Sequence, residues 1–316
     1  MYYIIMRVLF MGTPDFAAVS LKRLLKEKDL EIHVVTQPDK PQGRHMVLTP
    51  SAVKKAALEA GLTVYQPETL KNEAFLKTLK ELDPQIILVV AYGKILPPYI
   101  LDYPEYGCIN LHGSLLPLYR GAAPMQRMVI DGREEIGVTT MYMAEGLDTG
   151  DMLEKWRTPL PSDADFEWVH DTLAQNGAEL LLSTLRKAQE GALLPEKQDE
   201  EQATYAAKIL KDDCLLHFEE SATALHNRIR GLCPVPLAFT TLKGKSLKIL
   251  KSRVIKEQGV FGAPGQVLSL EKEGVYVACG QGILQIEGVK PEGKKAMSCA
   301  DFIRGRGIAK GDLLGG

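Results

Sequence analysis

An asparagine and a histidine two positions apart are the residues of this sequence whose types and spacing best suit catalysis. Asn110 and His112 lie in the run 108–112, and on a strand both side chains would project from one face, about 7 Å apart. An amide and an imidazole placed in this way can bind one carbonyl oxygen as it becomes an oxyanion. In the alternative interpretation, both side chains only satisfy backbone groups at a strand end. The Gly-Ser-Leu-Leu-Pro turn at 113–117 favours catalysis, because it is expected to leave backbone amides free beyond the strand.

A second candidate is the acidic loop 146–151, Gly-Leu-Asp-Thr-Gly-Asp. Two glycines that bracket Asp148 can hold its carboxylate in one orientation. If the fold brings this carboxylate to His112, the pair suits general acid and base chemistry, because a carboxylate fixes the imidazole tautomer and raises its basicity. The alternative is an ordinary Asp-Gly turn without a chemical role.

The elements that must position these residues follow an α/β pattern. Apolar runs bounded by turns predict strands at 7–11, 32–36 and 85–91, and helical spacing predicts helices at 51–60, 75–82 and 165–189. The turn 12–15 between the first strand and the first helix has Thr13 as the expected N-cap. Strands buried on both faces are typical of a parallel sheet between helices, so a Rossmann-like open sheet is predicted, with ligands at its carboxyl edge.

The second part of the chain has a different pattern. The polar, acidic stretch that follows the long helix is predicted to be a linker, which gives a first domain of 1–190, a linker of 191–207 and a second domain of 208–316. Short strands separated by glycines are predicted at 246–255, 265–270, 274–278 and 283–289, after one helix at 221–230. Such strands favour a small β-barrel of the OB type, which often binds nucleic acid.

The charge is divided unequally between the two parts. The whole chain has a net charge of −2, but residues 1–202 hold 21 bases and 29 acids, whereas residues 203–316 hold 17 bases and 11 acids. The segment 226–256 has eight bases and no acid. Such a run is usually a solvated face, but the absence of acids favours a polyanionic partner for the basic part.

Composition excludes several classes of protein. With 45% hydrophobic and 25% charged residues, the chain is not typical of a disordered, collagen-like or membrane-spanning protein. The five cysteines are too far apart for a CxxC pair, which favours a reducing, intracellular location. The apolar start is interpreted as a buried strand and not as a signal peptide.

The motifs do not predict a dinucleotide or metal site. The turn at Gly12 lacks the GxGxxG pattern of dinucleotide sites, and the histidines other than His112 have no metal-ligand spacing.

The settings of Asn110, His112 and Asp148 resemble the signature of the 10-formyltetrahydrofolate-dependent formyltransferases. The wider chain is similar to the members of that family that act on methionyl initiator tRNA. The matching segments occur in the same order as in the family and lie at 11–16, 36–39, 89–93, 120–124, 126–127 and 293–297. This resemblance spans nearly the whole chain.

The resemblance implies transfer of the formyl group from 10-formyltetrahydrofolate to the α-amine of methionine on the initiator tRNA. Asn110 and His112 would stabilise the oxyanion, and Asp148 would orient His112 and assist proton transfer. No metal is implied, because the formyl carbon arrives already activated on the folate. We expect a monomer in the cytoplasm with no membrane association. The segment that matches the folate-contacting loop of the family consists of Ser114, Leu115, Leu116 and Pro117.

The resemblance also indicates where the tRNA would bind. In the family, the loop that corresponds to 37–50 inserts against the acceptor stem through an arginine, which Arg44 matches. Here Arg44 is followed by His45, Met46 and Val47 and not by glycine and lysines, which predicts fewer phosphate-binding charges in this loop. In the basic part of the chain, Lys248 and Lys251 are the residues expected to bind tRNA phosphates.

Three functions remain open from the sequence. The first is formyl transfer to a charged tRNA, and the second is formyl transfer to a sugar-nucleotide amine, or hydrolysis, by the same three residues. The third is RNA binding on an inactive α/β scaffold. The basic second domain and the segment 123–127 favour the first function over the second, and the intact Asn110, His112 and Asp148 argue against the third.

Overall fold

The computed structural model describes residues 5–42 and 46–315. The described residues form eight α-helices and seventeen β-strands. The helices are α1 Asp15–Leu24, α2 Ala52–Glu59, α3 Leu76–Leu82, α4 Pro98–Leu101, α5 Pro124–Ile130, α6 Phe166–Gln189, α7 Ala222–Leu232 and α8 Cys299–Arg304. The strands are β1 Met6–Gly12, β2 Leu30–Val35, β3 Lys40–Gln42, β4 Val47–Thr49, β5 Val64–Tyr65, β6 Ile86–Val90, β7 Cys108–His112, β8 Arg120–Gly121, β9 Glu135–Tyr142, β10 Met152–Pro159, β11 Tyr205–Ala206, β12 Ala238–Leu242, β13 Lys245–Lys256, β14 Val267–Glu271, β15 Gly274–Ala278, β16 Ile283–Pro291 and β17 Met297–Ser298.

The chain folds as two units, each built from three segments. The first unit holds the described residues of Met1–Gly121, Gly137–Thr158 and His170–Tyr205. The second holds Ala122–Ile136, Pro159–Val169 and the described residues of Ala206–Gly316. The domain boundaries expected at 190 and 207 stay a prediction.

A seven-stranded sheet organises the first unit, in the order β10-β9-β7-β6-β1-β2-β5. Its strands from β7 to β5 pair in parallel, and β9 pairs antiparallel to β7. Every residue of β6 is buried, as expected for a strand that helices cover on both faces. The predicted Rossmann-like open sheet is confirmed, with an antiparallel extension beside β7.

The turn between β1 and α1 depends on the absence of a side chain at Gly12. A Cβ there would lie 2.8 Å from the Cβ of Ala17 and 3.1 Å from the carbonyl oxygen of Val90. The prediction of Thr13 as N-cap is wrong, because Pro14 is the N-cap and makes no side-chain cap. The hydroxyl of Thr13 instead donates to the carbonyl of Tyr92 at 3.0 Å, so it ties β1 to the segment that follows β6.

An antiparallel sheet organises the second unit, in the order β12-β13-β16-β15-β14, with β17 beside β16. The end of the chain pairs with both edges of this sheet. The amide of Gly315 donates to Thr241 next to Leu242 at the end of β12, and the amide of Leu314 donates to Gly265 just before β14. Both edges are thereby covered, which closes the sheet into a small barrel. The predicted OB-like barrel is confirmed.

The cysteine thiols are all free. Burial raises the pKa of Cys108 and of Cys299 to about 12. Because the thiolate is the reactive form, these two side chains are unreactive at neutral pH and serve as small apolar core residues.

Among the described helices, none combines the length and the apolar character that crossing a bilayer requires.

Candidate active site

Asn110 and His112 are held by β7 at the centre of the sheet. Both side chains are buried, with 8% and 6% of their surface exposed. Since side chains alternate along a strand, they share one face, as predicted. Asn110 pairs in register with Val89 of β6, and His112 pairs with Thr139 of β9. The two polar residues are thus fixed at the carboxyl end of β7, where β6 and β9 flank them.

The imidazole of His112 has a defined orientation. Its Nε2 lies 2.9 Å from the carbonyl oxygen of Tyr119, and because a carbonyl can only accept, Nε2 must carry the hydrogen of this bond. Its Nδ1 lies 3.6 Å from Oδ2 of Asp148, which is longer than a hydrogen bond but within the range of an ion pair. Nδ1 is therefore the ring nitrogen left for the reacting groups, and it faces a carboxylate.

Asp148 occupies the loop between β9 and β10 in a left-handed conformation, with φ +53°. Residues other than glycine rarely adopt this conformation unless their surroundings hold it. One such contact is the bond from the amide of Gly121 to Oδ2 of Asp148, at 2.8 Å. Gly150 brings the loop close to β9, since a Cβ there would lie 1.7 Å from the carbonyl oxygen of Tyr142. The structure thus brings Asp148 to His112, across 36 residues of sequence.

The predicted folate loop, 114–117, is pinned by hydrogen bonds. The hydroxyl of Ser114 donates to the carbonyl of Leu118 at 2.6 Å. The amide of Leu116 donates to the hydroxyl of Thr139, which in turn donates to the carbonyl of Ser114. The expectation of free amides beyond β7 is therefore wrong for Leu116, whose amide is bonded within the protein. The loop is rigid enough to present a fixed surface, and its contact with folate stays a prediction.

Three parallel strands are tied together at the same edge of the sheet. The carbonyl of Tyr92 accepts hydrogen bonds from Thr13 after β1 and from Gln37 after β2, at 3.0 and 2.7 Å. Burial raises the pKa of Tyr92 to about 12, so its phenol stays neutral. Thr13, Gln37 and Tyr92 lie in motifs that carried the family resemblance, but the residues alone did not indicate that they would meet. They form the carboxyl edge at which open α/β sheets bind ligands.

A buried arginine adjoins the site and was named in the sequence only as part of a motif. Arg120 has no exposed surface and makes two hydrogen bonds to Glu200, at 2.8 and 2.7 Å. This guanidinium lowers the pKa of Glu200. The Nε of Arg120 donates to Gln198, a residue that sequence reasoning missed because its segment was predicted to be a linker.

The basic residues predicted to bind tRNA lie on β13 of the second unit. Lys251 is 70% exposed, and its Nζ lies 3.1 Å from a carboxylate oxygen of Glu287 on β16. Arg253 contacts the same carboxylate. The segment 226–256, which has no acid of its own, is thus paired with an acid from another strand. The Nζ of Lys248 lies 3.4 Å from the carbonyl of Pro236. The tRNA contacts of Lys248 and Lys251 stay a prediction.

Arg44, the other predicted tRNA contact, lies outside the described residues. The described residues that follow it form the second strand of the β3–β4 hairpin. Met46, Val47 and Leu48 are all more than 60% exposed there. The segment 46–48 therefore presents apolar side chains to solvent.

The Rossmann-like sheet, the histidine–aspartate pair at its carboxyl edge and the OB-like unit together define a two-part α/β group-transfer enzyme. The chain belongs to the formyl transferase family. The family model "Formyl transferase" matches residues 6–185, and the model "Formyl transferase, C-terminal domain" matches residues 208–307. The family predicted from the motifs is thereby confirmed.

Curated relatives at high identity carry one name, methionyl-tRNA formyltransferase. The relative from Caldanaerobacter subterraneus subsp. tengcongensis is 49% identical over 98% of this chain and 100% of its own length. The relative from Bacillus subtilis is 44% identical over 98% of each chain. Among solved structures, an N-formyltransferase from Helicobacter canadensis in complex with folinic acid and dTDP-3-aminofucose matches with a TM-score of 0.67. It is 17% identical and covers 89% of this chain and 99% of its own, which supports the fold alone.

Proposed function

We propose that this enzyme transfers the formyl group of 10-formyltetrahydrofolate to the α-amine of methionyl initiator tRNA. The observation that carries the proposal is the pair of the buried His112 and the partly buried Asp148 at the carboxyl edge of the sheet, 3.6 Å apart, in a chain of the formyl transferase family. The high identity to relatives named for this activity, over nearly the full chain, supports the choice of acceptor.

The reaction requires stabilisation of one oxyanion and movement of one proton. The methionine amine attacks the formyl carbon, a C–N bond forms, and the carbonyl oxygen becomes an oxyanion. Collapse of this tetrahedral intermediate breaks the bond between the formyl carbon and the folate nitrogen. The proton that leaves the amine ends on that nitrogen, so the products are N-formylmethionyl-tRNA and tetrahydrofolate.

Asn110 and His112 are proposed to stabilise the oxyanion, and Asp148 to support His112. The side chains of Asn110 and His112 share one face of β7, so a carbonyl oxygen bound over that face meets both. Because Nε2 of His112 is bonded to Tyr119, Nδ1 is the nitrogen that serves the reaction, and it donates to the oxyanion once it has taken up the proton that leaves the attacking amine. Loss of one such donor costs about 3 to 4 kcal/mol in other oxyanion holes, which is the scale expected here.

The co-substrate is proposed to bind beside the loop of Ser114, Leu115, Leu116 and Pro117. The bond from Ser114 to Leu118 and the bond from Leu116 to Thr139 hold this loop before substrate arrives. A preorganised loop supports precise placement of the formyl carbon over β7. This chemistry needs no metal, because the folate supplies an activated formyl carbon.

The tRNA is proposed to bind Lys248 and Lys251 of the OB-like unit and the loop of the first unit that contains Arg44. We further propose that the catalytic domain ends near residue 190, that the tRNA-binding domain begins near residue 208, and that the enzyme acts as a monomer in the cytoplasm. The net positive charge of residues 203–316 supports a polyanionic partner for this part of the chain.

A comparison of acceptors tests the proposal. The protein would be incubated with 10-formyltetrahydrofolate and, separately, with methionyl initiator tRNA, methionyl elongator tRNA, a dTDP-linked amino sugar or no acceptor, and the formylated product would be quantified. Formylation of the initiator tRNA alone is the expected result. Formylation of the amino sugar, or release of formate without acceptor, would contradict the proposed acceptor.

A further inference from the structure

We propose that Gln198 is a positioning residue that holds the Asp148 loop in its active conformation. The two N–H groups of its amide reach two backbone carbonyls of that loop, at Asp148 and Gly150, each at 2.8 Å. Its carbonyl oxygen accepts from Nε of Arg120 at 3.0 Å. A single buried amide thus connects the loop that carries the carboxylate to Arg120, which has no exposed surface.

The chemistry of Arg120 fixes the orientation of this amide. A guanidinium can only donate, so the oxygen of Gln198 must face Arg120 and its NH2 group must face the loop. Arg120 itself cannot turn away, because it is fully buried and held by two bonds to Glu200. The amide of Gln198 therefore has one satisfied orientation, which is the one that donates to Asp148 and Gly150.

Asp148 is consequently held at both of its ends. Its carbonyl is bound by Gln198, and its carboxylate accepts from the amide of Gly121, the residue after Arg120. These contacts oppose rotation of the left-handed backbone at Asp148 and keep its carboxylate beside His112. Gln198 touches none of the reacting atoms in this arrangement, and its effect on the reaction passes through Asp148.

The segment that carries Gln198 is itself anchored within the first unit. Glu196 exchanges two backbone hydrogen bonds with Met152, at 2.8 and 2.9 Å. Further along, the carbonyl of Thr204 accepts from the amide of Arg120 at 2.8 Å. These backbone hydrogen bonds on both sides of Gln198 hold its segment in place. A substitution at Gln198 is therefore expected to displace the Asp148 loop and not the segment that carries Gln198.

The test is Gln198→Glu, which keeps the acceptor for Arg120 and replaces the donor with an oxygen that repels two carbonyls. The inference rests on the proposed function, so kcat and KM are measured for formyl transfer to methionyl initiator tRNA. We expect kcat to fall about 10- to 100-fold. The KM for 10-formyltetrahydrofolate and the KM for methionyl initiator tRNA should change little. Gln198→Met, which removes the amide without adding charge, should act in the same direction, and it supplies the comparison if Gln198→Glu does not fold.

A matched control lies four residues away in the same segment. Gln202 is exposed, and among the described residues its side-chain amide donates only to the side chain of Asp199, so Gln202→Glu makes the same chemical change away from the loop. Its kcat should equal that of the wild type. An equal loss in Gln202→Glu and Gln198→Glu, or an unchanged kcat in both Gln198 variants, would overturn the inference.

Two further readouts separate positioning from general destabilisation. In an Asp148→Asn background, Gln198→Glu should have little further effect on kcat, because both changes disable one unit; multiplied losses would overturn the inference. The proton resonances of the His112 ring should move in Gln198→Glu as they do in Asp148→Asn, and should stay in place in Gln202→Glu. This NMR comparison does not depend on the acceptor, so it remains decisive even if the wild type fails to formylate tRNA.

Discussion

At the scale of single residues, the site depends on the orientation of the His112 and Asp148 side chains. His112 and Asp148 are common residue types, and what distinguishes them here is that each has one constrained partner. The carbonyl of Tyr119 occupies Nε2 of the imidazole, and the amide of Gly121 occupies Oδ2 of the carboxylate. These bonds leave Nδ1 of His112 and the Asp148 carboxylate facing each other, so the pair is ordered before any substrate binds.

The first prediction concerns this pair. Asp148→Asn keeps the shape of the side chain but removes its charge, and His112→Ala removes the imidazole. Each change should lower kcat by about 10²- to 10⁴-fold, while charged tRNA should still bind in a filter-binding assay. Glu145→Gln, an exposed change in the same loop, is the control and should leave kcat unchanged. Undiminished turnover in either Asp148→Asn or His112→Ala would refute the proposed mechanism.

At the scale of elements, patterns of apolar residues predicted the central strands closely. The strand expected at 85–91 is β6, Ile86–Val90, and the helix expected at 165–189 is α6, Phe166–Gln189. Periodicity did not indicate β9 and β10. β10 alternates between partly buried and exposed positions at the edge of the sheet, and such strands lack the continuous apolar run of a central strand. Their position was decided by strand pairing, because β9 lies beside β7 and β10 lies beside β9.

The second prediction concerns how α6 is joined to the start of β2. Arg186 makes hydrogen bonds with the carboxylates of Glu27 and Asp29, and this guanidinium lowers the pKa of Asp29. For Glu27 the pKa is lowered first by Arg23 and then by Arg186. Because the folded pKa values are depressed, the stabilisation is complete above the unfolded values near pH 4 and is lost as pH falls through the folded values.

Arg186→Met should therefore lower the free energy of unfolding by about 1–2 kcal/mol at pH 7, and the difference from wild type should shrink below pH 4. Urea denaturation at pH 7 and pH 3 measures both effects. Lys77→Met removes a lysine that is 91% exposed and forms only a long ion pair, so it should leave the stability unchanged at both values. A difference for Arg186→Met that is equal at pH 7 and pH 3 would mean that the ion pairs do not contribute.

At the scale of the whole molecule, the unequal division of charge is the property that most directly concerns a tRNA substrate. The tertiary structure changes how that charge is interpreted. Four of the cations in the acid-free segment contact acids from outside it, since Arg228 pairs with Glu220, Lys243 pairs with Asp312, and Lys251 and Arg253 share Glu287. The segment 226–256 therefore has less uncompensated positive charge than the sequence indicates. Glu287 competes with any phosphate at Lys251.

The third prediction follows from that competition. If Lys251 binds a tRNA phosphate, Lys251→Ala should weaken tRNA binding and make the dependence of log K on log salt shallower by about 0.7 to 0.9. Glu287→Gln should strengthen binding, because it releases both Lys251 and Arg253. Lys272→Ala removes an exposed lysine from the β14–β15 turn and serves as the control. Unchanged affinity in both Lys251→Ala and Glu287→Gln would place the tRNA on another surface.

The sequence by itself determined the family, the central strands and the residues able to do chemistry, because each of these depends on residue types and short-range spacing. The tertiary structure decided which groups meet. His112 lies next to Asp148, which is 36 residues away in the sequence. Arg120 donates a hydrogen bond to Gln198, which is 78 residues away, in a segment whose composition suggested only a linker. Contacts of this length depend on the packing of the whole sheet, and no local pattern encodes them. For the same reason, the acids that neutralise Lys243 and Lys251 could be recognised only once the barrel had brought distant strands together.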